Sequence, residues 1–204
     1  MEETSLGVGL DRIGNHPLRG GWWMLDAETS GFDPLTDDIV AVCLAYMEAY
    51  EIHQEVSFCV RPKFPLKPEI VKLTGITPED LQGAVSIDSA VKRIGMFVAD
   101  APLLVYHTRF LLPFLRAAFH HHASEEFDYP CLSLSGTSMR VLGGEKEQRL
   151  ATLARQLPAP EADLPQDHSL AMMYRVSTAL FERLESRGAR TVDDLLALCG
   201  EEQP

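Results

Sequence analysis

Two carboxylates stand two residues apart in residues 25–31, directly after an apolar run that begins with two tryptophans. In an extended chain, residues i and i+2 point to the same face, so Asp26 and Glu28 are predicted to converge on one spot. Acids held together in this way repel each other unless a proton or a cation lies between them. The segment therefore predicts a site for a hard divalent cation. The alternative is a strand that runs into a Thr-Ser-Gly turn and leaves both acids solvated.

The elements that would position these acids follow an α/β pattern. Apolar alternation and continuous apolar runs predict strands over residues 22–26, 38–47, 52–61 and 102–106. Helical periodicity and capping signals predict helices over 86–98, 111–120, 150–156, 166–187 and 191–198, with one further helical turn at 69–73. Three strands followed by alternating helices and strands indicate a mixed sheet covered by helices.

The pattern Asp-x-Glu-Thr-x-Gly after an apolar strand resembles the first motif of the DEDDh 3′–5′ exonuclease superfamily. That superfamily includes the proofreading subunit of bacterial DNA polymerase III and ribonuclease T. Three further segments resemble it in the same order, namely residues 70–81, residues 106–115 and His168 at the beginning of a helix. The resemblance covers roughly residues 22–185. It implies a ribonuclease H-like exonuclease fold, α/β, with a mixed five-stranded sheet flanked by helices.

The same resemblance implies roles for individual residues. Asp26 and Glu28 would be catalytic and would bind Mg²⁺ or Mn²⁺. Thr29 and Phe110 would contact the substrate end. His168 would be the general base that activates the attacking water. The competing interpretation of His168 is an exposed histidine near a helix N-terminus.

The chain departs from the family at two metal-binding positions, so its second and third motifs are degenerate. The acid expected after Phe110 is Leu111, and the acid expected five residues after His168 is Met173. Hydrolysis by two metals requires ions about 3.5–4 Å apart. Two carboxylates can hold one Mg²⁺, which keeps several waters, so we expect at most one ion. Neither Asp163 nor Asp167 has the spacing of a replacement.

These departures leave two functions open. The first is an exonuclease-fold domain with impaired catalysis, a pseudoenzyme retained for binding or regulation. The alternative is a divergent metal-dependent 3′–5′ exonuclease that acts on DNA or RNA ends. The expected partner is a single-stranded nucleic acid 3′ end or a nucleotide, and a protein partner is a further option.

Length and composition fit one compact domain. The 204 residues are 46% apolar, and we expect a flexible arm over 1–20, an exonuclease-like domain over 21–187, and a short helix and tail over 188–204. The net charge of −12 argues against a broad nucleic-acid-binding surface, since Lys and Arg supply most phosphate affinity. Four scattered cysteines indicate a reducing, cytoplasmic setting. We expect no membrane association, because no apolar run is long enough to span a bilayer.

Overall fold

The computed structural model describes residues 4–144, 146–158 and 169–200 and contains one mixed β-sheet. Within these residues the sheet has six strands: β1 (Gly7–Val8), β2 (Trp22–Thr29), β3 (Ile39–Glu48), β4 (Glu51–Cys59), β5 (Leu103–Val105) and β6 (Cys131–Ser133). Their order across the sheet is β1-β6-β5-β2-β3-β4. Strands β2, β5 and β6 are parallel, whereas β1, β3 and β4 each run antiparallel to their neighbours.

Helices cover both faces of this sheet. They are α1 (Pro68–Thr74), α2 (Ile87–Val98), α3 (Thr108–His122), α4 (Leu134–Leu142), α5 (Leu150–Gln156), α6 (Ser169–Ser186) and α7 (Val192–Gly200). Two 3-10 turns occur at Leu10–Ile13 and Asp80–Gly83. The sequence signals account for α2 directly, because the Ser86 side chain accepts a hydrogen bond from the Ser89 amide and the apolar positions recur at helical spacing.

Alternation along β2 determines where the two acids lie. Trp23 and Leu25 belong to the core between the sheet and helices α2 and α3. Trp22 and Met24 belong to the second core, between the sheet and α6. Asp26 continues the Trp22 and Met24 series, and Glu28 follows it at the same spacing, so both acids lie on the α6 side of the sheet.

The predicted α/β architecture, a mixed sheet flanked by helices, is confirmed, and the three long strands form the expected antiparallel meander. The predicted strand count of five is wrong, because the described residues form six strands. The additional pairing is between β1 and β6, of two and three residues. Segments this short carry too little alternation to be recognised as strands.

Residues 4–20, which fall within the expected flexible arm over 1–20, pack against the sheet and the α6 side of the core. Strand β1 pairs with β6, and Leu6, Leu10 and Leu18 are 5%, 6% and 0% exposed in the core on the α6 side. The Leu18 amide also donates to the carbonyl of Arg190, which precedes α7. Because β6 and Arg190 are distant from this segment in sequence, the local pattern of residues 4–20 could not indicate these contacts.

Candidate functional site

A cleft of about 300 Å³ lies where the parallel strands β2 and β5 end. Ligands of open α/β sheets commonly bind beyond the carboxyl ends of parallel strands. Three segments of the chain form its walls. They are the last residues of β2, the segment that joins β5 to the first turn of α3, and the beginning of α5. The lining residues are Asp26, Ala27, Glu28, Val105, Tyr106, His107, Phe110, Leu111, Arg149 and Leu150.

Asp26 and Glu28 share this cleft, as their spacing predicted. Across the ladder with β3, Asp26 pairs with Cys43 and Glu28 pairs with Ala41. The Glu28 side chain is reached by solvent, but protein atoms of the concave wall replace part of its hydration. This desolvation, and secondly the negative charge of Asp26, raise the pKa of Glu28. Burial, followed by the charges of both acids, raises the pKa of Cys43 to about 12.

The two carboxylates suit one divalent cation. A cation between them would relieve the repulsion that raises the pKa of Glu28. In the part of the chain that the structure describes, no group of three or more His, Cys, Asp or Glu side chains is arranged to hold a metal. Mg²⁺ often takes only one or two protein carboxylates and completes its shell with water. The described donors therefore fit a single hydrated ion.

Leu111 and Met173 occupy different surroundings. Leu111, in the first turn of α3, is 3% exposed and lines the cleft beside the two acids. Met173, in α6, is fully buried in the core that contains Met24, on the same side of the sheet as Asp26. Both side chains lack an oxygen donor, and Leu111 contributes an apolar surface to the space around the acids.

The two residues expected to contact substrate also differ in position, since Phe110 lines the cleft and Thr29 does not. Phe110 is 37% exposed. Its ring is tilted by 59° against that of Phe32, which is 73% exposed, with 6.3 Å between the ring centroids. Thr29 is buried, and its hydroxyl donates to the carbonyl of Gly31 at 2.6 Å. Phe110 therefore lies in the same cleft as the two acids, whereas the Thr29 hydroxyl is hydrogen-bonded within the turn after β2.

The predicted general base lies outside the described residues. His168, together with Asp163 and Asp167, precedes the first described residue of α6, Ser169. Its assignment stays a prediction.

Three polar residues of the cleft were not expected to contribute to the site. Tyr106 and His107 follow β5, and Arg149 precedes α5. The Tyr106 hydroxyl donates to the Gln148 carbonyl at 2.5 Å, and burial raises its pKa to about 12. His107 Nδ1 lies 3.3 Å from a carboxylate oxygen of Glu147. The position of His107 after a buried strand was a usable signal, whereas nothing in the sequence near Arg149 indicates its proximity to Asp26.

The described helices include none that is both long enough and apolar enough to cross a membrane.

Comparisons with known proteins agree with this fold. The chain is 26% identical over 141 residues to the PolC-type DNA polymerase III of Pediococcus pentosaceus, which is 69% of this chain and 10% of that polymerase. Two solved structures superpose over 82% of the chain with a TM-score of 0.64 each. One is the zinc-bound form of the E. coli exonuclease I complex with single-stranded DNA, at 18% identity, and the other is a complex of exonuclease I with the SSB C-terminus, at 17%.

The chain spans about a tenth of the polymerase relatives and under half of exonuclease I. The structural likeness at this identity concerns the fold. The match to a family model rests on sequence, since the RNase T exonuclease model covers residues 23–169, which is more than half of the chain and includes both cleft acids, Phe110 and Leu111. On this match, the chain belongs to the RNase T exonuclease family.

Proposed function

We propose that this chain is an exonuclease-fold domain that binds the 3′ end of a single-stranded nucleic acid through one divalent cation and hydrolyses it weakly or not at all. Asp26 and Glu28 would hold the cation, which is Mg²⁺ or Mn²⁺. Such an ion, when bound, polarises a phosphoryl oxygen and lowers the pKa of a coordinated water. In this proposal, binding of the nucleic acid is the function that the domain has retained, and catalysis is largely lost.

The observation that carries the proposal is the apolar side chain of Leu111 in the cleft. It lies beside Asp26 and Glu28, at the position where the family resemblance implies a further metal-binding acid. A second cation there would have to exchange its water ligands for a hydrocarbon surface, which costs free energy. Loss of a group that stabilises transition-state charge typically lowers the rate about a hundredfold to a thousandfold.

Other cleft residues support recognition of a strand end. Phe110 lines the cleft with a partly exposed ring, and the exposed ring of Phe32 lies beside it, so a base could stack on either ring. Base–aromatic stacking contributes about 1–3 kcal/mol per base and tolerates any sequence. The net charge of −12 gives the surface little general affinity for phosphate, so the proposed cation would supply part of the attraction. The exonuclease I complex with single-stranded DNA supports a single-stranded ligand.

The proposal is tested with a 3′-labelled and a 5′-labelled oligonucleotide, each as DNA and as RNA, incubated with the purified chain and Mn²⁺. We expect binding that requires Mn²⁺ and is weakened by Asp26→Asn, together with little shortening of the 5′-labelled strand. The matched control is Asp11→Asn, an exposed acid outside the cleft.

Rapid shortening that Asp26→Asn abolishes and Asp11→Asn preserves would contradict the impaired-catalysis reading. That result would instead support the divergent 3′–5′ exonuclease and direct the search for further ligands to Asp163 and Asp167.

A further inference from the structure

Arg149 lies in the same cleft as the two acids without pairing with either of them. Its side chain is exposed and makes no ion pair or hydrogen bond with any residue within 4–144, 146–158 and 169–200. The guanidinium is therefore available to a ligand that enters the cleft.

The backbone on either side of Arg149 is held against the cleft wall. The Tyr106 hydroxyl binds the carbonyl of Gln148, the residue before Arg149. One residue further back, the carboxylate of Glu147 contacts His107 at 3.3 Å. On the other side, Leu150 begins α5 and itself lines the cleft. These contacts hold the backbone from which the Arg149 side chain extends. The backbone therefore loses little further entropy when Arg149 binds a ligand.

The charges of the cleft define the class of ligand. One divalent cation would balance Asp26 and Glu28, and Leu111 adds no charge. Arg149 then leaves a positive charge beside the cation. A guanidinium has a planar array of donors that matches two phosphate oxygens at once. The complementary ligand is a phosphate group.

We propose that Arg149 is a phosphate-binding residue of this cleft and that it binds the phosphate of a terminal nucleotide. The inference rests on the proposed function for the nucleotide end and its cation. It adds that the Arg149 guanidinium contributes to phosphate binding in a cleft whose described residues supply the ligands for one metal.

The test measures binding of thymidine 5′-monophosphate and of thymidine to the full chain by calorimetry, with and without Mn²⁺. We expect Arg149→Gln to weaken binding of the monophosphate about tenfold or more, as loss of a bidentate charged contact does. Arg149→Lys should retain part of the affinity, because it keeps the charge without the planar fork. Arg155→Gln is the matched control, since Arg155 lies on α5 and bonds the Ala151 carbonyl of its own helix.

The outcomes separate this inference from the proposed function. Equal binding of the monophosphate by Arg149→Gln and the parent chain, or equal binding of thymidine and its monophosphate, overturns the role of Arg149. Binding of the monophosphate that depends on Arg149 but is indifferent to Mn²⁺ supports that role and overturns the cation at Asp26 and Glu28. Thermal melting of each variant without ligand verifies that Arg149→Gln is folded.

Discussion

At the residue scale, the two apolar replacements differ in what restoring an acid would do. Leu111 lines the cleft, so an aspartate there would reach the space shared by Asp26 and Glu28. Met173 is fully buried among apolar side chains. A carboxylate at that position loses its hydration and also leaves part of the methionine volume unfilled. The two positions therefore make separable contributions to metal binding and to stability.

Leu111→Asp should add a metal ligand at a moderate cost in stability. Without metal, a third carboxylate repels the other two and destabilises the fold by about 1–3 kcal/mol. With Mn²⁺ the variant should regain more of its melting temperature than the parent gains, because a ligand that binds only the folded state stabilises it. Adding Met173→Asp should lower the metal-free stability further, by about 2–5 kcal/mol.

Leu111→Asn is the control for this experiment, because it has the size and polarity of aspartate without the charge. If the metal-dependent increase in melting temperature is the same for Leu111→Asp, Leu111→Asn and the parent, position 111 does not face the cation and the motif alignment is wrong.

Individual site residues were predictable only where a local motif marked them. Asp26 and Glu28 were found from their i, i+2 spacing. Phe110 and Leu111 were found from the resemblance of residues 106–115 to the exonuclease family. Arg149 was not predictable, since its place in the cleft depends on the contact of Tyr106 with Gln148, 42 positions apart in the chain. A contact of that kind leaves no trace in spacing or composition.

At the element scale, the long strands and helices were predictable and the short, polar ones were not. Strand β6 and helix α4 contain Ser133, Ser135 and Ser138, which resemble loop residues in composition but are 1–3% exposed. Their hydroxyls are satisfied locally, since Ser133 accepts from the Gly136 amide and Ser138 donates to the Ser135 carbonyl. Small side chains here allow the N-terminal segment to approach closely.

Gly136→Ala tests this close approach. A Cβ at position 136 would overlap the carbonyl oxygen of Ser5, which is backbone and cannot rotate away. We expect destabilisation of about 1–3 kcal/mol, measured from urea unfolding, as for other overpacked sites. Gly83→Ala serves as the comparison, because a Cβ there meets no atom within 4 Å. Equal stabilities of the two variants would show that the N-terminal segment does not pack on α4.

The contact between Arg19 and Glu185 gives a pH dependence to the packing of α6. The Arg19 guanidinium donates to both Glu185 oxygens, at 2.8 and 2.9 Å. These hydrogen bonds hold the pKa of Glu185 below its usual range. A lowered folded-state pKa stabilises the protein above the unfolded value of about 4.3, and this stabilisation is lost as the pH falls through the folded value.

Glu185→Gln should therefore melt at a lower temperature than the parent at pH 7, and the difference should shrink as the pH falls below about 4. Glu182→Gln, an exposed acid on the same helix, should match the parent across this range. A difference between Glu185→Gln and the parent that does not change with pH would mean that the ion pair is not the cause.

At the scale of the whole molecule, the fold places a small cleft at the ends of β2 and β5 on an acidic chain. The net charge of −12 repels a polyanion at distance, so attraction must be local. One cation at Asp26 and Glu28, the guanidinium of Arg149 and the exposed ring of Phe110 would supply that local attraction. The overall architecture could be predicted from the first motif and from the order of strands and helices, because long amphipathic elements determine the architecture.

The number of cations in the cleft tests the account most directly. Crystals of the full chain grown with Mn²⁺ and a nucleoside monophosphate would show each ion by its anomalous scattering. We predict one ion, ligated by Asp26 and Glu28, with no second ion beside Leu111. Two ions about 3.5–4 Å apart, the separation used in two-metal phosphodiester hydrolysis, would contradict the account and identify the chain as a complete nuclease.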